Sequence, residues 1–473
     1  MTKVAASLEE ALIACGLKSG MVISFHHHLR NGDYVLNKVL EAVAKLGIGD
    51  LTVNASSIFD AHAPLLTHIK NGLVTGIETN YISPLVGRAI SGGILKKPVI
   101  FRSHGTRPSD IETGKSPVDV AFIAAPSSDK QGNCSGKTGK SACGALGYAF
   151  ADAMYAKKTV VVTDNLVEYP LRDFSISEIY VDHVAVVDAI GDPQGIVSGT
   201  TRMTRDPVAL RIADLAARVI SASGLLKDGF SFQTGAGGAS LAVGRSIQRI
   251  MLEKGIKGSF ALGGTTGYLV EMLEAGCFES ILDVQCFDLK AVESLHLNPR
   301  HVEISASHYA SPTAKSTAAQ RLDAVVLGAT QIDVDFNVNV HTDSNGYIIG
   351  GSGGHSDVAA GAKLAIVAAP LSRARLPIVV DRALTITTPG KTIDVLVTQC
   401  GVAVNPRQEE LRQRLAESGL PLTDIEDLRK MAEGINGVPQ KPKLGDRVVA
   451  RVKYRDGAFI DEILQTLPDS RRL

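Results

Sequence analysis

GIKGSFALGGTT, residues 255–266, aligns with GIGDLTVNASS, residues 47–57, once the leading Gly-Ile of each is matched. Both run from a turn through a short apolar stretch into small polar residues, the pattern of a buried strand ending in a loop. The flanking segments agree in order and spacing. MVISF (21–25) leads into HHHLRNGD (26–33) and a helix-spaced segment from Val35 to Leu46, while GFSF (229–232) leads into QTGAGGAS (233–240) and a helix to about Leu252. HIKNGLV (68–74) corresponds to MLEAGCF (272–278), and VDVAFIAAPSSDKQGN (118–133) to LDAVVLGATQIDVDFN (322–337). Farther on, GKTGKSACGALGYAFADAMYAKKTVVVTDN (136–165) lies opposite IIGGSGGHSDVAAGAKLAIVAAP (348–370), with TVVVTD (159–164) matched to PIVVDR (377–382). The period is too long for a solenoid repeat. Strands alternating with helices predict βαβ units and parallel sheets. The expected fold is α/β, two similar open lobes with a cleft between them.

The boundary is expected within Ala209–Gly229, dividing the chain into a first domain, 1–212, and a second, 213–473. TTRMTRDPVALRIADLAARVISASG (200–224) would supply a helix joining the halves. The second domain is assigned two surface helices, QEELRQRLAESG and TDIEDLRKMAEG, and a C-terminal hairpin turning at Asp456-Gly457.

Composition narrows the function. The chain has 473 residues, 45% hydrophobic and 21% charged, with 46 glycines. Its 49 basic residues balance 49 acidic ones, and it has no tryptophan, so neither a nucleic-acid nor a membrane surface is indicated. No apolar run approaches the ~20 residues of a membrane span. The six cysteines are scattered without a C-x-x-C pair, which suits reduced thiols in a cytoplasmic protein.

In open α/β sheets, ligands bind beyond the carboxyl ends of the strands. Loops expected there begin at Ser24, Asn54, Gln233 and Gly263, and the glycine-rich loop Gly350–Asp357 is expected at the same cleft. Candidate substrate contacts are Ser24, His26, His27, Arg30, Asn54, Gly235, Gly237, Gly238, Gly263, Gly264, Gly350, Gly351 and Asn405. Arg102 and His104 in FRSHGTRPSD add cationic or donor groups, with Arg107 beside them; a solvated loop is an equal reading for these. Gly353, Gly354 and His355 are assigned to catalysis, the glycines offering N–H groups to an oxyanion and His355 a proton. An ordinary helix start explains His355 as well. A metal on His26–His28 ranks lower, since adjacent residues diverge and no H-x-x-x-H or carboxylate partner supports it. GAGG at 235–238 does not complete a dinucleotide fingerprint, and no phosphate-binding P-loop occurs.

SFHHHLRNGD (24–33), DVAFIAAPSSDKQGN (119–133), SFQTGAGGASLAV (231–243), LDVQCFDLKAV (282–292), HVEISASHYA (301–310), FNVNVHTDSNG (336–346), GGSGGHSD (350–357) and VLVTQCGVAVNP (395–406) together resemble the citrate lyase alpha-subunit family. The resemblance covers nearly the whole chain from Leu8. It implies the CoA-transferase superfamily and a citrate CoA-transferase activity, passing a thiol carrier from acetyl thioester to citrate and releasing acetate. It further implies a beta (lyase) and a gamma (acyl carrier) partner, a homo-oligomer within a larger complex, and no covalently bound cofactor. The co-substrate would be acetyl-CoA or the phosphoribosyl-dephospho-CoA arm of the carrier. Related transferases place a catalytic Glu after a second-lobe strand; here no Glu falls between Lys254 and Val270, and Glu271 lies in the following helix. A direct exchange through a mixed anhydride is therefore expected. The alternatives are a stand-alone CoA-transferase or thioesterase for another hydroxy or dicarboxylic acid, or a non-catalytic CoA-binding regulator.

Overall fold

A computed structural model describes residues 2–197, 204–235 and 237–467. The two halves build sheets of the same strand order. In the first, Val22–Phe25 is central; Leu51–Ala55, Val74–Thr79 and Val99–Phe101 extend to one side, and Val120–Ala125, Lys158–Thr163 and His183–Val186 to the other. In the second, Phe232–Thr234 takes the centre, with Gly258–Thr265, Phe278–Cys286 and His301–Glu303 on one side and Ala324–Leu327, Leu364–Ala368 and Val395–Thr398 on the other. These strands pair in parallel, as Ser24↔Asn54↔Glu78 and Phe232↔Ala261↔Ile281 illustrate. Helices cover both faces, so Val120–Ala125 and Leu364–Ala368 are buried throughout, which accounts for their unbroken apolar composition.

The repeat extends to loop chemistry. Gly72 and Gly276, at matched positions between helix and strand, have φ of 74° and 76°, a left-handed turn that glycine adopts without a Cβ penalty. Asp129 Oδ1 accepts from the Gln131, Gly132 and Asn133 amides, and Asp333 Oδ1 from those of Asp335 and Asn337. Each aspartate also accepts from the side chain of the asparagine four residues on, at 2.8 and 3.2 Å.

Three sequence assignments change. TVVVTD is not the partner of PIVVDR: Lys158–Thr163 takes the sheet position of Leu364–Ala368. Val379–Val380 instead pairs with Ile332–Asp333 in a small side sheet, as Leu166–Val167 pairs with Ser128–Asp129. Two similar apolar runs follow the same helix, and only sheet hydrogen bonding separates them. The helix Pro207–Ala222, capped by Asp206 on the Val208 and Ala209 amides, packs against Gly238–Lys254 and the second sheet, so a cut at residue 212 passes through it. The hairpin Leu444–Lys453/Phe459–Thr466 turns at Gly457 as expected, but it joins the first sheet, with Ala450, Arg451 and Val452 opposite Val99, Ile100 and Phe101. It covers an edge strand that would otherwise expose unpaired backbone groups.

Candidate active site

Loops leaving the carboxyl ends of both sheets meet between the lobes. From the first lobe comes an aromatic stack. The His27 ring lies 4.8 Å from Tyr148, which lies 4.4 Å from His104, and His28 lies 5.5 Å from Tyr148. The second lobe closes on it: Gln285 Nε2 donates to the His27 carbonyl at 2.9 Å, and the Phe287 ring sits 4.6 Å beneath the Arg30 guanidinium. Arg30 also lies 5.6 Å over Phe59. Its φ of 53° places a non-glycine residue in the left-handed region, at a cost of about 1–2 kcal/mol. That conformation presents the guanidinium to the other lobe.

The glycine loop lies directly on the first lobe. Gly350 O accepts from Ile82 N at 3.2 Å, Gly353 N donates to Asn80 O at 3.2 Å, and His104 N donates to Gly353 O at 2.8 Å. A Cβ on Gly351 would overlap the Asn80 carbonyl oxygen, and one on Gly350 the Val340 carbonyl. Gly353 has φ +50°, and its Cβ would stand 3.4 Å from His104 Nε2. Gly354 is pressed against the Tyr309 hydroxyl, which accepts from Gln233 Nε2 at 3.0 Å. The side chain of Gln233 in turn occupies the space a Cβ on Gly263 would need, at 2.9 Å. Phe287 fills the corresponding space at Gly264. Gly351 and Gly353 thus let the two lobes approach closely, while Gly350, Gly354, Gly263 and Gly264 make room for packing within the second lobe.

His26 and His27 are at this wall and committed. His26 Nε2 accepts from Ala124 N at 2.8 Å and its Nδ1 meets His28 Nδ1, while His27 Nδ1 pairs with Ser56 Oγ at 2.5 Å. Ser24 Oγ and His104 Nδ1 are buried without a hydrogen-bond partner among the described residues. Gly237 and Gly238 open the helix Gly238–Lys254 without a side-chain cap, with Gly235 just before them bonded to Val326 O.

Four predicted residues serve the scaffold instead. Asn54 accepts from Arg107 Nε at 2.7 Å and donates to Ser116 Oγ at 3.1 Å, while Arg107 also forks onto Asp152. Arg102 is drawn inward by Asp110 and Glu78, both at 2.7 Å. Asn405 donates to the Gly390 and Ile393 carbonyls and closes a turn. His355 shares its Nδ1 with Thr388 Oγ1 at 2.7 Å and its Nε2 with Gly328 O at 3.0 Å, both within the second lobe. These bonds correct the assignment of His355 as a proton shuttle, because neither ring nitrogen is available. His355→Ala should lower stability by about 1–3 kcal/mol through the two orphaned partners. The pH profile of turnover should keep its shape; loss of one limb would restore the shuttle.

The cleft is electrostatically spare. Burial holds His26 down to about 4 and His104 to about 3, and pushes His27 and His28 well below the usual imidazole range, with neighbouring rings adding to it. At neutral pH these rings are uncharged, so they offer hydrogen bonds without adding cations. Nearby carboxylates are occupied. Asp283 accepts from the Gln285 amide, Cys286 Sγ at 3.0 Å and His301 Nε2 at 3.1 Å; Glu303 accepts from Leu146 N and Ser175 Oγ; Asp357 accepts from Ser103 Oγ and Gly105 N. Asp283, Cys286 and His301 have the residue types of a metal site, but their ligand atoms already bond to one another. Tyr148, Tyr309, Gln233, Gln285 and Phe287 were not among the sequence candidates. Their only sequence signal is position at or just beyond the carboxyl end of a strand or beside a glycine loop.

Comparison with known proteins supplies an independent line. A family described as "Citrate lyase, alpha subunit (CitF)" matches residues 1–466. The citrate lyase alpha chain of Klebsiella pneumoniae is 50% identical over 463 residues, 98% of this chain and 91% of that protein. That of Escherichia coli is 48% identical over the same share of each. A crystal structure from Streptococcus mutans, described as the alpha subunit of citrate lyase in complex with citrate, superposes with a TM-score of 0.97 at 49% identity. It covers 99% of this chain and 92% of its own. A Pseudomonas malonate decarboxylase hetero-tetramer, 17% identical with a TM-score of 0.68 and covering 93% of this chain and 88% of that chain, shares the fold.

Proposed function

Because the chain belongs to the citrate lyase alpha-subunit family, we propose that it exchanges the acyl group on a thiol carrier, converting acetyl thioester and citrate to citryl thioester and acetate. The alpha chain is one component of a multi-subunit citrate lyase. Its proposed partners are a beta subunit that cleaves the citryl thioester, a gamma subunit that carries the thiol arm, and further copies of itself. The helices of the described residues include none long and apolar enough to cross a membrane, and we place the protein in the cytoplasm.

In the proposed route, a citrate carboxylate attacks the acetyl carbonyl and the C–S bond breaks, leaving a mixed anhydride and a thiolate. The thiolate attacks the citryl carbonyl of the anhydride, and acetate leaves. Atoms and charge balance without an enzyme nucleophile. The observation that carries this reading is the character of the cleft. It has glycine amides, uncharged imidazoles, tyrosines and the Arg30 guanidinium, while Asp283, Glu303 and Asp357 are each held by at least two hydrogen bonds. Arg30 is the group best suited to a citrate carboxylate, and the unpartnered Ser24 Oγ and His104 Nδ1 to its remaining oxygens. The Gly353 amide is spent on Asn80 O, which leaves the Gly354 amide as the candidate oxyanion donor, a role that can be worth about 10²–10³ in rate.

The test is the chain with acetyl-CoA and citrate, alone and with the acyl carrier, followed by mass spectrometry. Citryl thioester and acetate should form together, and Gly353→Val should abolish both, because the φ of +50° excludes a β-branched residue. A hydroxylamine-sensitive thioester on an enzyme carboxylate would overturn the direct route. No exchange even with carrier supplied would overturn the transferase.

A further inference from the structure

We infer that Arg455, at the tip of the C-terminal hairpin, is a positioning residue that seats the glycine loop through its ion pair with Asp357. The inference rests on the transferase reading, since the loop matters to rate only if the cleft does that chemistry.

Three contacts carry it. Asp357 lies in the helix His355–Gly361, which begins immediately after Gly354, and it is fully buried. Its Oδ1 accepts from Ser103 Oγ and its Oδ2 from Gly105 N, both at 2.8 Å, so this carboxylate fastens the helix after the loop to the first lobe. Arg455 Nε stands 3.2 Å from the same Oδ1 and supplies the opposing cation. Its Nη2 also donates to Ala310 O at 3.3 Å. Ala310 follows Tyr309, whose hydroxyl is pressed against Gly354. One guanidinium therefore holds both second-lobe segments that flank the loop.

The hairpin is anchored well enough to do this. It pairs with Val99–Phe101, Lys453 Nζ bonds Asp110 at 2.6 Å, and Asp461 accepts from Ile386 N of the second lobe at 2.6 Å. It straps the lobes together, with Arg455 at the end nearest the loop. Removing the partly buried Arg455 cation leaves the fully buried Asp357 carboxylate uncompensated, which costs more than removing both charges together. That asymmetry gives the inference a signature that a merely structural arginine would lack.

The experiment is a double-mutant cycle on the full chain with its carrier, using Arg455→Met, Asp357→Asn and both, with Arg455→Lys as the conservative variant. Arg455→Met should lower kcat about 10-fold or more, and change KM for the acetyl carrier less than about 3-fold, as expected of misplacement at the reacting centre. In the Asp357→Asn background the same change should cost less than about 3-fold, and Arg455→Lys should recover most of the rate. Hydrogen exchange of the His355 and Val358 amides, which bond Ser352 and Gly354, should speed up at least about 10-fold in Arg455→Met. Equal losses in both backgrounds, or unchanged exchange, would overturn the inference. The exchange measurement decides it even if the wild-type chain transfers no acyl group, an outcome that would instead sink the reading of function.

Discussion

Replacing Gly351 with alanine is expected to reduce citrate-dependent transfer by about 100-fold or more, while the protein still folds. The added Cβ would fall well inside the radius of the Asn80 carbonyl oxygen, and 2.7 Å from Tyr81 Cα, so backbone meets backbone and no side chain can swing away. The loop must lift from the first lobe, loosening the Gly353–Asn80 and His104–Gly353 hydrogen bonds that fix it against the histidine wall. A displacement near 1 Å at a reacting centre can cost about 10² in rate, whereas overpacking of this kind costs roughly 1–3 kcal/mol of stability. The loss should fall mainly on kcat. Gly434→Ala is the control: its Cβ would meet nothing within 4 Å on an exposed helix, and it should leave turnover unchanged and stability slightly raised. Steady-state kinetics of both variants, with denaturant unfolding alongside, is the check. Near-normal turnover in Gly351→Ala would show that the loop need not lie on Asn80 during the reaction.

Acidification should unfold the protein steeply, with uptake of several protons, between about pH 6 and pH 4. Burial, the largest cause for each, holds His26 and His355 at about 4 and His104 and His341 at about 3. The unfolded chain accepts protons on these rings near pH 6.5 and the folded chain refuses them. Their stabilising contribution is therefore complete above about pH 6.5 and is lost as pH falls toward the folded values. Two units on one ring correspond to about 3 kcal/mol, so a few such rings approach the ~5–15 kcal/mol total of a typical domain. Asp357 acts in the opposite sense. Burial raises it to about 6, so it favours the folded state as pH falls from there toward its ordinary value. Burial raises Glu303, Asp333, Asp394 and Asp461 in the same sense, but it also holds His27 and His28 well down beside the four rings above, and the net slope follows the imidazoles. Denaturant unfolding from pH 7.5 to 4.5 would measure the slope directly. Stability that stays flat from pH 7 to pH 5 would mean that water reaches these rings.

The sequence by itself determined the duplication, the parallel α/β class and the family. Strand periodicity, the Gly-Ile starts and the turn glycines are local properties, and local properties repeat when a half is repeated. Gly72 and Gly276, or Asp129 and Asp333, keep the same backbone roles because their neighbours in sequence supply the bonds. It also pointed to the glycine loop and His27 as neighbours of one cleft, while for Arg30 and His104 a solvated loop read equally well along the chain. What it did not determine is which polar residues face substrate and which are spent on the scaffold. Asn54, Arg102, Asn405 and His355 look equally functional along the chain. Only partners distant in sequence, such as Arg107 for Asn54 or Gly328 and Thr388 for His355, reveal them as fasteners. The hairpin's return to the first sheet is likewise a tertiary decision. Its alternating strands could cover any open edge, and the edge left by Val99–Phe101 is fixed by packing more than three hundred residues away.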